Sequence, residues 1–177
     1  MLLVRTHIAA ALVLAAVPAF AQISRDEALA AVYPGATVRA EQLFLTPSQQ
    51  KQVLMDADTD VSTALVARYV ATKDGTAVGR AYVDTHIVRT KKQSLLISLD
   101  AAGRVLRIDV TAFQEPPDYR ASEAWLRQFR GRALDDDLKV NRAIRPIAGA
   151  TLTAREATSA VRRVLAIDAV VEKEATR

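Results

Sequence analysis

The spacing of apolar residues changes period along the chain, and each change marks an element. Ser24 followed by Glu27 has the spacing of a capping box, and Ala28, Leu29 and Val32 continue it as a short helix that "YPGA" stops. Thr46-Pro47-Ser48-Gln49 sets a second cap with proline at the first helical position, which predicts a helix to about Ala57. From Asp60 β-branched and aromatic residues take over in "DVSTALVARYVA" and, after "KDGT", in "AVGRAYVDTHIV". Asp74-Gly75 between two such runs is a hairpin signal. Beyond the basic loop "RTKKQ", the runs "SLLISL" and "RVLRIDVTAF" flank "DAAG" as a second pair. In the last run Val105, Arg107 and Asp109 alternate with Leu106, Ile108 and Val110, as in a sheet with one face covered. Together the four runs predict an antiparallel meander.

Pro116 and Pro117 in "QEPPDYR" remove two backbone donors and end the strands. Ser122 then caps a helix carrying Trp125, Leu126 and Phe129, closed by Gly131. A polar stretch, "RALDDDLKVNRAIRP", leads into "IAGATLTAREATSAVRRVL". There Thr153 and Glu156 repeat the capping-box spacing and place a helix start at Thr153. Ala157, Ala160, Val161, Val164 and Leu165 fall on one face, with Arg155, Ser159, Arg162 and Arg163 on the other. The expected class is α+β, an antiparallel sheet of about four or more strands flanked by helices.

The first residues add an expectation of another kind. Arg5, the apolar run from Ile8 to Val17, Pro18 and then Ala19-Phe20-Ala21 form the pattern of a secretory signal peptide cleaved after Ala21. The expected organisation is therefore a signal peptide over 1–21 and one domain over 22–177, exported to the periplasm. Cleavage would leave 23 basic and 20 acidic residues, a mild and scattered positive balance, in 156 residues able to bury a core of their own.

Composition narrows the chemistry. The chain has no cysteine, which excludes disulfides, thiol nucleophiles, iron–sulfur ligation and c-type haem attachment. His7 leaves with the signal, so His86 is the one histidine of the mature chain, and neither a histidine-rich metal site nor a two-histidine relay can form. His86 reads first as an ordinary polar residue on or beside a strand. A hydrolase would need more than His86, since no Gly-x-Ser-x-Gly context accompanies it. Basic residues interleaved with acids, without an aromatic platform, argue against nucleic acid.

What remains is the stretch around Gly149. Glycine there lets the backbone turn with positive φ or approach a ligand closely, and Ala150 keeps the surroundings small. The helix that follows offers unpaired N–H groups and the positive end of its dipole, where a phosphate is favoured. With Thr153 assigned to the cap, Thr151 is the hydroxyl left over. A glycine turn with an N-cap and a phosphate site are both consistent with these residues. The same triplet at 35–37, in "YPGATV", lacks a following helix and reads as a turn.

"AGATLTAREATSAVRRVL" resembles the C-terminal motif of FMN-binding domains like those of the C subunit of the sodium-pumping NADH:quinone oxidoreductase and the G subunit of the related Rnf complex. The family pattern D-x-x-[S/T]-G-A-T precedes a helix, and its last threonine becomes esterified to the FMN phosphate by a separate flavin transferase. "SLDAAGRVLRIDVTAFQEPPDYRASEAWLRQFRGRAL" is similar to the family's strand, Glu-Pro loop, tryptophan helix and Phe-x-Gly, so the likeness runs from about Ser94 to Ile167. The resemblance implies covalent FMN at Thr151, with Gly149, Ala150, Leu152 and Thr153 around the phosphate and Glu115 and Trp125 near the flavin. It further implies an electron-transfer role, a flavin transferase and a membrane or periplasmic redox protein as partners, and no haem or metal. Arg145 and Ala148 stand where the pattern has Asp and Ser/Thr. Arg145 could pair with the phosphate of FMN held without a bond, and a flavin-free binding module is the remaining alternative.

Overall fold

The computed structural model describes residues 23–61 and 63–175; the expected signal peptide lies outside them. Five strands, β1 (Thr37–Phe44), β2 (Leu65–Lys73), β3 (Thr76–Ile87), β4 (Lys92–Asp100) and β5 (Val105–Phe113), form one sheet in the order β1-β2-β3-β4-β5. All neighbours are antiparallel. With helices α1 (Arg25–Val32), α2 (Pro47–Ala57), α3 (Glu123–Leu126) and α4 (Thr151–Ala175), the domain is α+β.

The four expected strands are β2 to β5. Asp74 and Gly75 take φ of 51° and 77°, the two left-handed positions that a tight hairpin with right-handed strand twist requires. The fifth strand, β1, begins at Thr37, directly after the turn at Gly35, whose φ is 73°. It is an edge strand carrying Arg39, Glu41 and Gln42, and this polarity discourages pairing with another chain.

β5 departs from strict alternation. Leu99 lies opposite Val105 and Ser98 opposite Arg107, so a bulge at Leu106 shifts the phase. Val105, Ile108 and Val110 consequently enter the main core, and Leu106 packs on the opposite side with the smaller cluster around Leu29 and Tyr33.

One face of the sheet is covered by α4, α2 and the segment from Ala121 to Ile147; its core holds Tyr82, Leu95, Ile97, Phe129, Val161 and Val164. On the other, among the described residues, α1 covers one end through Ala28, Leu29 and Tyr33 against Ala71, Ala81 and Leu96. Ser24 and Thr46 each make the reciprocal bonds of a capping box, as their spacing predicts.

The last helix corrects two expectations. It starts at Thr151, two residues before the proposed cap, and Thr153 is buried inside its first turn without the reciprocal bonds that Ser24 and Thr46 make. Gly149 at φ 75° and the Ala150 carbonyl, which accepts the Ala154 N–H at 3.1 Å, already turn the chain into the helix. Nor are Arg162 and Arg163 on an exposed face, being 5% and 7% exposed. Arg162 donates to the carbonyls of Asp56 (3.3 Å) and Ala57 (2.8 Å), which end α2 without a basic side chain in its own last turn. Arg163 forks onto Asp84 of β3 at 2.7 and 3.0 Å. These polar groups fill positions that a two-sided helix pattern assigns to water.

Candidate functional site

Two ion pairs orient α4 on the sheet. Arg80 meets Asp168, and Asp84, four residues further along β3, meets Arg163, five residues earlier in α4. The helix therefore runs antiparallel to β3. Its N-terminus lies at the end of the sheet where β3 finishes and β4 begins.

At that N-terminus Thr151 is the first helical residue and is exposed. Its hydroxyl makes no hydrogen bond among the described residues. A Cβ built on Gly149 would meet nothing within 4 Å, so the approach to the preceding turn is open. Ala150 is buried and its N–H donates to the Ile147 carbonyl at 3.1 Å, while Leu152, 43% exposed, leaves its side chain facing solvent. The amides that open a helix have no intrahelical acceptor, and they add their dipoles to the positive end.

The loop before the motif is held by two side chains of the short helical segment after Ser122. Trp125 Nε1 donates to the Arg145 carbonyl at 2.7 Å, and the Arg145 N–H donates to Gln128 Oε1 at 2.9 Å. Both polar groups of one residue are thereby gripped, and Gln128 is itself tied to the Trp125 carbonyl at 3.1 Å. Ser122 caps this segment through the Trp125 N–H, as its spacing predicts, although α3 lasts only four residues before a 3-10 turn at Arg127–Phe129. Trp125 meets Phe129 edge to face at 5.4 Å, so its indole forms a wall fixed from beneath. Beside it runs an open groove bordered by Gln128, Arg132, Arg145 and Pro146. Gln128 and Arg132 carry no signal in the sequence beyond lying three and seven residues past the tryptophan.

Glu115 is at the same end of the sheet but already has a structural role. Its Oε1 accepts the backbone N–H groups of Thr90 (2.7 Å) and Lys91 (2.8 Å), closing the β3–β4 turn. These donors hold its carboxyl below the usual range.

His86 lies on β3 with its side chain buried, and its Nδ1 is 2.8 Å from Asp84 Oδ1. Burial pushes the Asp84 carboxyl up, but hydrogen bonds from His86 and Arg163, and the charge of Arg163, outweigh it and hold the group low. His86 Nε2 and the amide of Gln93, its partner across the strands, are buried without hydrogen bonds. No set of His, Asp and Glu among the described residues could hold a metal ion. No helix among them is long and apolar enough to cross a membrane.

The arrangement thus joins Thr151, Gly149 and Ala150 to Trp125 through the gripped loop at Arg145. An exposed hydroxyl at a helix N-terminus and an open glycine turn suit a phosphate, and the groove beside Trp125, at the start of the same loop, offers an aromatic surface. No family model, curated protein or solved structure matches this chain.

Proposed function

We propose that the protein is an exported flavoprotein that carries FMN as a phosphoester on Thr151 and acts in electron transfer. The observation that carries this reading is the position of Thr151, an exposed and unbonded hydroxyl in the first turn of α4, behind a glycine whose surroundings are open. Attachment forms an Oγ1–phosphorus bond as the transferase displaces the leaving group of an activated flavin nucleotide, and the hydroxyl proton departs. The α4 amides and dipole stabilise the phosphate charge, the Arg145 loop fixes its distance from Trp125, and the bound flavin supplies the redox chemistry. Export gives the bond a purpose, since a cofactor lost outside the cytoplasm is not readily replaced.

The exposed Arg145 supports a second reading, FMN held without a bond. Its guanidinium makes no hydrogen bond among the described residues, borders the groove beside Trp125 and suits phosphate oxygens.

The experiment is to co-express the chain with a flavin transferase, denature the purified protein in acid and follow flavin fluorescence on the polypeptide. Fluorescence that stays with the chain and is abolished in Thr151→Ala supports attachment. Flavin released on denaturation supports the noncovalent form. A colourless protein rejects both and leaves a flavin-free binding module.

A further inference from the structure

A cleft of about 370 Å³ opens at the β5 edge, between the end of α1 at Ala31 and Val32, the strand, and α3. Val32, Leu106 and Leu126 give it apolar walls, and Asp109 lies among them at 6% exposure. Asp109 Oδ1 accepts from Arg107 Nε (2.8 Å) and Nη2 (2.5 Å), but Oδ2 is buried with no partner. Burial pushes this carboxyl up more than Arg107 draws it down, and Glu123 adds to the rise. A buried carboxylate oxygen without a donor is costly, and no described residue supplies the donor.

The rest of the lining carries charge of both signs. Glu123, Arg127 and Arg130 border the cleft, and none of the three makes a side-chain hydrogen bond or ion pair among the described residues. Two guanidinium groups suit a carboxylate, and two carboxyl groups suit an ammonium. Apolar walls between them suit a short hydrocarbon side chain, and the volume is at the small end of ligand sites.

We propose that this cleft binds a small amphoteric molecule of amino-acid or dipeptide size, its ammonium against Asp109 and Glu123 and its carboxylate against Arg127 and Arg130. Arg107 occupies only Asp109 Oδ1, which leaves Oδ2 as the oxygen for the ammonium. The inference stands independently of the flavin reading, because none of these residues belongs to the Thr151 loop.

The test titrates the isotope-labelled, purified protein with L-leucine, L-lysine and glycyl-leucine, following amide NMR shifts, with N-acetyl-leucine amide as the probe lacking both charges. The expected result is a saturable shift at Leu106–Val110 and Ala31–Val32 with at least one charged probe and none with the capped one. Asp109→Asn and the surface double variant Arg127→Gln/Arg130→Gln each weaken binding about tenfold or more, the worth of one charged hydrogen bond. The double variant alters only exposed side chains, so its effect is readable even if Asp109→Asn folds poorly. The proposal is overturned if no charged probe saturates by about 10 mM, far weaker than ordinary metabolite affinities. It also fails if the capped probe binds equally, or if the folded double variant binds unchanged.

Discussion

Arg80 of β3 grips Asp168 of α4 through two parallel hydrogen bonds, Nε to Oδ1 at 2.5 Å and Nη2 to Oδ2 at 2.9 Å. The Tyr82 hydroxyl adds a third at 2.8 Å, and all three residues are nine-tenths buried or more. Asp168→Ala would leave a buried guanidinium and a buried phenol short of a partner. Loss of about 3–5 kcal/mol is expected, the usual penalty for breaking a buried pair from one side. Urea unfolding measures it, and a loss below about 1 kcal/mol would show that water takes over from the carboxylate.

The two buried aspartates should respond to pH in opposite senses. The Asp84 carboxyl is held low in the fold, so it stabilises the protein above its unfolded pKa of about 3.9 and loses that contribution as pH falls through the lower folded value. In Asp84→Asn the acid limb of the stability curve should flatten, and stability at neutral pH should fall. Asp109 is held high, so its ionised form weakens the fold above the folded pKa. Asp109→Asn should gain stability at neutral pH, and the gain should vanish below about pH 3.9. Thermal melts across pH 3 to 8 would separate the two; a single shared trend would contradict these assignments.

Two glycines predict unequal costs on becoming alanine. A Cβ on Gly79 would lie 2.4 Å from Tyr33 Cε1 and 2.5 Å from the Leu99 carbonyl oxygen. Tyr33 cannot easily move, because its hydroxyl sits between the carbonyl oxygens of Arg80 (2.7 Å) and Leu99 (2.8 Å), which share its one proton. Gly79→Ala should therefore cost about 3 kcal/mol, at the upper end for overpacking. Gly149→Ala has open space and only its positive φ to contend with, for about 1 kcal/mol. Denaturation midpoints of the pair give the ratio directly.

Trp125→Phe and Gln128→Ala should each release one side of Arg145. The loss in stability is expected to be about 1 kcal/mol, that of one hydrogen bond, and, if Thr151 carries FMN as proposed, flavin per chain should fall severalfold. Absorbance of flavin against protein after co-expression provides the number. Unchanged loading in both variants would mean that the loop holds its position without them.

Much of this fold is legible in the sequence because local chemistry dictated it. Ser24 and Thr46 cap where their spacing says, and Asp74-Gly75 turns a hairpin because both positions accept positive φ. β1 is not legible in the sequence because a polar edge strand shows little apolar alternation. Thr153 and Glu156 mimic a cap, whereas Gly149 and Ala150 supply the turn two residues earlier, so α4 starts before the spacing predicts. The helical pattern assigns Arg162 and Arg163 to solvent because their partners, the end of α2 and Asp84, are 79 or more residues away in the chain. At the site, Gly149 and Thr151 could be singled out by type, but the grip of Trp125 and Gln128 on Arg145 exists only after folding.

The sheet is complete by Phe113, yet the helix that covers Tyr82, Leu95 and Ile97 begins at Thr151. A chain emerging N-terminus first therefore carries a sheet face that α2 covers only in part until the segment from Ala121 and then α4 follow. Stable folding waits for α4, and so does the candidate site, because Thr151 opens that same helix. A transferase that waits for the folded loop would find no substrate in a nascent or truncated chain, so cofactor attachment would report that the whole domain had closed.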